Sequence, residues 1–225
     1  MTVMRGICQG SEGNRAFFTA ALLAFGLGLS TLAIAAAPVY PPAQTKPLTP
    51  AESLAAQARA RLPRGEWDLA IQEADKALQL DKNCYAAIVV RGLVFSGKDD
   101  HDKAIEEFDR VTSTTSRDDA VLQPRIEAFL KRSEAQCQKG EYLKAIDSAY
   151  FAILEKYENP AAHNQRAVAY IARGQYDKAI NSLNIAISLD PKFAEGYCNR
   201  GYAYGAKGNF DQDIADQNKA LELLS

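Results

Sequence analysis

The sequence predicts an all-α chain of stacked helix-turn-helix units, and three observations carry that expectation. Turn residues recur at a fixed interval, at Gly65, Asp99, Gly140, Gly174 and Gly208, with separations of 34, 41, 34 and 34 residues. Small residues and rings recur at fixed offsets from those turns. Between them, apolar residues fall at three- and four-residue spacing, as in Ile180, Leu183 and Ile187, giving a helix one apolar stripe.

The columns have a steric cause. Seven residues before each turn stands Ala58, Gly92, Ser133, Ala167 or Gly201, and five after it stands Ala70, Ala104, Ala145, Ala179 or Asp213. Two helices joined by a tight turn approach closely only where facing side chains are this small. A ring two residues past the turn (Trp67, His101, Tyr142, Tyr176, Phe210) fills the space beside the contact. Glycine at the turn takes the left-handed conformation that ends the first helix. One pair cannot bury both of its faces, so neighbours must stack.

Taken in order, residues 1–35 read as a secretory signal peptide. Arg5 and Arg15 precede the apolar run FFTAALLAFGLGL at 17–29, and Ala33-Ile34-Ala35 supplies a small-residue cleavage site. That placement predicts a periplasmic or secreted protein. The competing expectation is an uncleaved inner-membrane anchor over 17–37, long enough to span a bilayer. Residues 36–50 form a linker, in which PVYPPAQTKPLTP at 38–50 holds five of the nine prolines and favours extended geometry. Five units then follow, at 51–84, 85–118, 126–159, 160–193 and 194–225. The first opens on Thr49-Pro50-Ala51-Glu52, a capping box with proline at the first helical position, and Pro63 shortens its first helix. Seven extra residues lie within 112–125, where Ser116 with Asp119 offers an early helix cap and Pro124 a bend. The expectation there is a surface bulge, with a second binding element as the alternative.

GQYDKAINSLNIAISLDP and NRGYAYGAKGNF resemble tetratricopeptide repeats, whose unit is a helix-turn-helix of 34 residues, and the resemblance extends over 51–225. It implies a right-handed α-solenoid of five stacked units with a concave groove lined by the first helices. The implied function is a protein-protein interaction scaffold. The fifth unit departs from the pattern, with Asp213 and Gln217 where small or apolar residues belong.

No catalytic pattern stands out. Once Cys8 leaves with the signal, Cys84, Cys137 and Cys198 form an odd set without C-x-x-C spacing, which reads as buried thiols rather than a disulfide framework. A reactive thiol at Cys137 or Cys198 is the enzymatic alternative. His101 and His163 occupy packing columns. P-loop, H-E-x-x-H and G-x-S-x-G motifs are missing from the sequence. The chain is therefore expected to be no enzyme and to need neither cofactor nor metal. Its net charge of −2 lacks the basic excess of a nucleic-acid binder.

The resemblance also implies where a partner would lie, on one face of each first helix. Projecting that face gives Ala86, Val89, Leu93 and Ser96 in the second unit, and Glu127, Leu130, Glu134 and Cys137 in the third. The fourth contributes Ala161, Asn164, Val168 and Ile171, and the fifth Glu195, Cys198, Tyr202 and Gly205. Asn199-Arg200 resembles part of the family's clamp for a C-terminal carboxylate, but Glu134 would repel such a group. The expected ligand is an extended or helical peptide with apolar anchors and basic flanks. Two alternatives compete with it. Residues 38–50 or the insertion could cover this face, or the chain could self-associate through Leu221, Leu223 and Leu224.

Overall fold

The computed structural model describes residues 47–225 apart from Arg117. The signal and most of the linker expected at 1–46 lie outside the described residues. Ten α-helices and no strand occur among those described. They run α1 Pro50–Arg61, α2 Trp67–Leu80, α3 Tyr85–Gly97, α4 His101–Thr112, α5 Asp119–Gln138, α6 Tyr142–Glu155, α7 Pro160–Ala172, α8 Tyr176–Leu189, α9 Ala194–Ala206 and α10 Phe210–Leu224. Each helix packs on the next, and the odd-numbered helices also touch one another in sequence, α1 on α3 through to α7 on α9. This is an all-α solenoid with the odd helices as its inner row.

The start of α1 follows from its local chemistry. Thr49 accepts from the Glu52 amide at 3.2 Å while Glu52 accepts from the Thr49 amide at 2.7 Å, and Pro50 holds the first helical position. A short 3-10 turn at Leu62–Arg64 absorbs Pro63 before the chain reverses. Asp99 takes the glycine's place at the second turn with φ of 59°, a strained value for a residue with a side chain.

The small-residue columns are the contact lines between paired helices. A Cβ built on Gly92 would lie 2.4 Å from the Phe108 ring, so only glycine fits beneath it. Ser133 donates from its hydroxyl to the Ala145 carbonyl at 2.7 Å, turning the same close approach into a hydrogen bond. In the fifth pair, Gln217 reaches the Cys198 carbonyl and the Asp213 carboxylate, both at 3.3 Å, so the two polar departures there bond to each other and to the helix opposite.

An arginine column adds a second fastening. Arg91, Arg132, Arg166 and Arg200 each stand eight residues before their turn and reach the even helix sixteen residues on. Arg91 pairs with the buried Glu107 at 2.9 Å and with Asp75 of the preceding pair at 2.9 Å. Arg200 forks onto the buried Asp216 at 2.7 and 2.8 Å and also donates to Asn184 of the preceding pair. Arg91, Arg132 and Arg200 thus each tie a hairpin together and clip it to its predecessor, while Arg166 bonds Ser182 of its own pair at 3.2 Å.

The insertion is a correction. It forms no surface bulge but lengthens α5, which starts two turns earlier relative to its turn than α3, α7 or α9. The cap position is Asp118 rather than Ser116, whose hydroxyl instead bonds the Asp118 carboxylate at 2.8 Å. Arg125 anchors the extension, donating to the Ser116 carbonyl at 2.6 Å and to Glu155 at 2.7 Å. Pro124 sits inside the helix.

Candidate binding groove

The inner row of helices encloses an open pocket of about 460 Å³ where α1, α3 and α5 meet the start of α7. Leu130 and Ile126 of α5 and Ala86 of α3 give it an apolar floor, with Gln123 and Pro124 from the α5 extension along one side. The insertion therefore lines the groove. Leu130 is half-buried and rests on Phe129, Ala152, Ile153 and Ala162, which fixes its position.

Two basic residues outside the sequence projection line the same pocket. Arg59 of α1 passes over α3 and grips Glu127 of α5 with two parallel bonds of 2.7 Å each. Lys131 binds Glu134 one turn along α5 at 3.0 Å. Arg59 was legible in principle, because it stands six residues before its turn, in the column of Leu93, Glu134, Val168 and Tyr202. Lys131 stands nine residues before its turn, in no projected column, yet it lines the pocket.

The C-terminal half of the inner face is polar. Asn164 is buried and donates to Glu195 at 2.9 Å, while Asn199 donates to Asn164 at 2.8 Å, linking α7 to α9. Glu195 reaches solvent, yet the helices around it displace enough water to raise its carboxyl above the usual range. Nearby Glu134 adds to that rise and the Asn164 bond opposes it. Glu134 and Tyr202 are exposed, and Leu93 and Val168 are half-buried. Val89 and Ile171 differ from the projection. Val89 is fully enclosed with Ile88, Ala104, Phe108, Val111 and Ala128, and Ile171 packs with Ala167, Ile180 and Leu183. Both belong to the core between helices.

Arg200 is committed to Asp216, on the far side of its helix from a groove ligand, so no carboxylate clamp is assembled at Asn199-Arg200. The Cys137 thiol is pushed up to about 11, first by burial and then by Glu134, and burial also raises Cys84. Neither is a thiolate at neutral pH, which is the form a nucleophile needs.

Residues 55–120 and 194–223 match the family described as Tetratricopeptide repeat, and residues 167–208 match that described as TPR repeat. The chain is a tetratricopeptide-repeat protein. Among solved structures, this repeat protein resembles MamA at 28% identity, covering 74% of this chain and 93% of that one, with a TM-score of 0.58. It also resembles TTC0263, a thermophilic TPR protein of Thermus thermophilus, at 21% identity, covering 77% and 91%, with a TM-score of 0.61. YrrB, described as a TPR protein with an unusual peptide-binding site, follows at 20% identity, covering 77% and 86%, with a TM-score of 0.53. At those identities the last two speak to the shared fold alone. No curated protein matches the repeat protein in sequence.

Proposed function

We propose that this tetratricopeptide-repeat protein is an exported scaffold that captures a peptide or protein segment in the concave groove without chemistry. The carrying observation is the pocket floored by Leu130, Ile126 and Ala86, where an apolar anchor side chain would lose its water. Exposed Glu134 and Glu195, farther along the inner face, favour a ligand with basic residues beside that anchor. The leader read at 1–35 supports a scaffold working in the periplasm or outside the cell.

The test cross-links the tagged full chain in the envelope fraction of its host. A partner caught by the native protein should be lost when Leu130→Arg and Val168→Arg fill the groove with charge, while far-UV circular dichroism stays helical. A partner retained by the folded double variant removes the groove. Recovery of the chain from the cytoplasm alone removes export.

One observation favours a second function, a structural, self-associating role. Phe210, Ile214, Leu221 and Leu224 leave the outer face of α10 between 54% and 66% exposed, the kind of surface a further helix would cover.

A further inference from the structure

Stacking closes the same junction four times inside the molecule, each time laying an odd helix on the even helix before it. Six residues after its turn every even helix carries an isoleucine: Ile71, Ile105, Ile146, Ile180 and Ile214. The first four are buried or half-buried, whereas Ile214 is 60% exposed. The following odd helix brings a small aliphatic residue to the junction five residues before its own turn. Val94, Ala135, Ala169 and Ala203 hold that step and are fully buried, and Ala203 packs in one cluster with Ile180. In α1 the same step is Ala60, which is exposed. α10 and α1 therefore each carry half of a junction that no other element completes among the described residues.

Three of the four internal junctions also carry an ionic clasp. Lys98 binds Asp68 at 2.7 Å, Lys139 binds Asp102 and Lys207 binds Asp177. The cation stands one residue before its turn and the carboxylate three after the preceding one. At the remaining junction Arg173 holds the cation's step, but Leu143 offers it no carboxylate. At the two open ends those steps are Arg64 and Asp211, both exposed and neither with a partner among the described residues. Arg64 is presented as Lys98 is, because the two turns make the same backbone bonds. The Gly65 and Glu66 amides donate to the Leu62 and Arg61 carbonyls, as those of Asp99 and Asp100 donate to Ser96 and Phe95. A second clasp joins Arg91 to Asp75 and Arg200 to Asn184. Its steps at the open ends are Gln57 and Asn218, two amides able to bond each other.

We infer that α10 of one copy of the chain receives α1 of a second, so that copies stack head to tail and repeat the junction between units. The inference rests on the self-associating reading above and names the surface that α10 meets. Phe210, 65% exposed, comes beside Pro63, at the step where Gly97 meets the Trp67 ring. Leu221 comes beside Ser53, as Ile187 lies beside Gly196. Charge selects this pairing over α10 against α10. α10 carries four carboxylates and one lysine, whereas residues 50–64 carry three arginines and one glutamate. Asp213, Asp216 and Glu222 are bonded within their own pair to Gln217, Arg200 and Lys219, which leaves Asp211 for the neighbour. Arg59 is bonded to Glu127, and Arg61 to Glu66 and Glu73, which leaves Arg64. Ser225 and Leu48 fall at the same step of the repeat and both are exposed, so the two copies part at the surface there. Because the joined faces differ, a third copy adds to the second in the same way, and association is open-ended.

Sedimentation equilibrium of the full chain should give a mass that rises with concentration past that of a dimer. Ile214→Asp and Ala60→Glu each change a residue exposed in the single copy, so helical circular dichroism should be unchanged. Each should weaken association by about tenfold or more. Mixed together, the two variants should form a one-to-one dimer and stop there, because each retains the end that the other has lost. Asp211→Arg should weaken association roughly two- to fivefold, and adding Arg64→Asp should restore it. A native chain that stays monomeric at every concentration overturns both the inference and the self-associating reading. A dimer abolished by Ile214→Asp but untouched by Ala60→Glu keeps that reading and overturns the contact with α1. Association untouched by either variant overturns both.

Discussion

Thirty-four residues separate α6 from α8, and at matching outward steps the two helices carry opposite chemistry: Leu143 against Asp177, Tyr150 against Asn184, Leu154 against Ser188. Inward the two pairs differ in size and in polarity. α8 places Leu183 at full burial where α6 has Ala149, and the groove residue Leu130 of α5 becomes the hydrogen-bonded Asn164 of α7. The pairs share a backbone because the turn and the small-residue columns are the same. They differ wherever the repeat leaves a side chain free of backbone duty. A solenoid can therefore vary surface and groove unit by unit without disturbing its stacking.

The largest way to break this contrast is to empty the fourth pair's core. Leu183 packs against Ala167, Ile171, Ala179, Ile180 and Ala203 with no exposure. Leu183→Ala gives α8 the residue α6 has at that step, but leaves a cavity that the α7–α9 wall cannot close. The expected loss is about 3 kcal/mol in urea unfolding followed by circular dichroism. An unfolding curve that does not move would show that the wall collapses onto the gap.

A smaller effect comes from His163, which replaces the Phe129 of the preceding unit at the start of the odd helix. The ring is buried edge-on to Tyr157, with Nε2 donating to the Tyr157 carbonyl at 2.9 Å and Nδ1 without a partner. Burial lowers its pKa below the usual 6.5, nearby Arg166 lowers it further, and the Tyr157 bond opposes them. The unfolded chain then binds a proton more readily than the folded one, so stability is full above about pH 6.5 and falls as the pH drops through the folded value. Each unit of depression corresponds to about 1.4 kcal/mol lost in acid. His163→Phe should flatten the acid side of a plot of Tm against pH. A slope unchanged by that substitution would assign the dependence to other groups.

The smallest effect sharpens the outward contrast. Leu143→Asp writes the neighbours' aspartate into α6 opposite Arg173, and should stabilise the folded chain by less than about 1 kcal/mol, an effect that fades in high salt. Thermal melts at low and high ionic strength read it directly. A destabilised variant would mean that Leu143 supports the fold itself.

The legible part of the molecule is the part built from local rules. The capping box at Thr49, the turn residues, the small columns and the helix pairs all follow from residues near in sequence. Burial within the groove face was less legible. Val89 and Leu93 sit on the same projected face of α3, yet Val89 is sealed beneath Phe108 and Ala128 while Leu93 keeps part of its surface. A wheel drawn on one helix cannot know how far the next helix overlaps it. The α10 face was readable in the aligned columns themselves, since Ile214 repeats the isoleucine of the four earlier even helices, but its meaning needed the exposure that stacking decides.

By itself, then, the sequence determined the repeat, its period, the helices and the class of interaction, because propensity, caps and close-contact columns act over distances shorter than one unit. The tertiary structure alone decided that the insertion extends α5 along the pocket, that Arg59 crosses two units to reach Glu127, and which groove residues are core. Those outcomes depend on the curvature with which successive pairs stack, a sum of small rotations that no single unit's sequence contains.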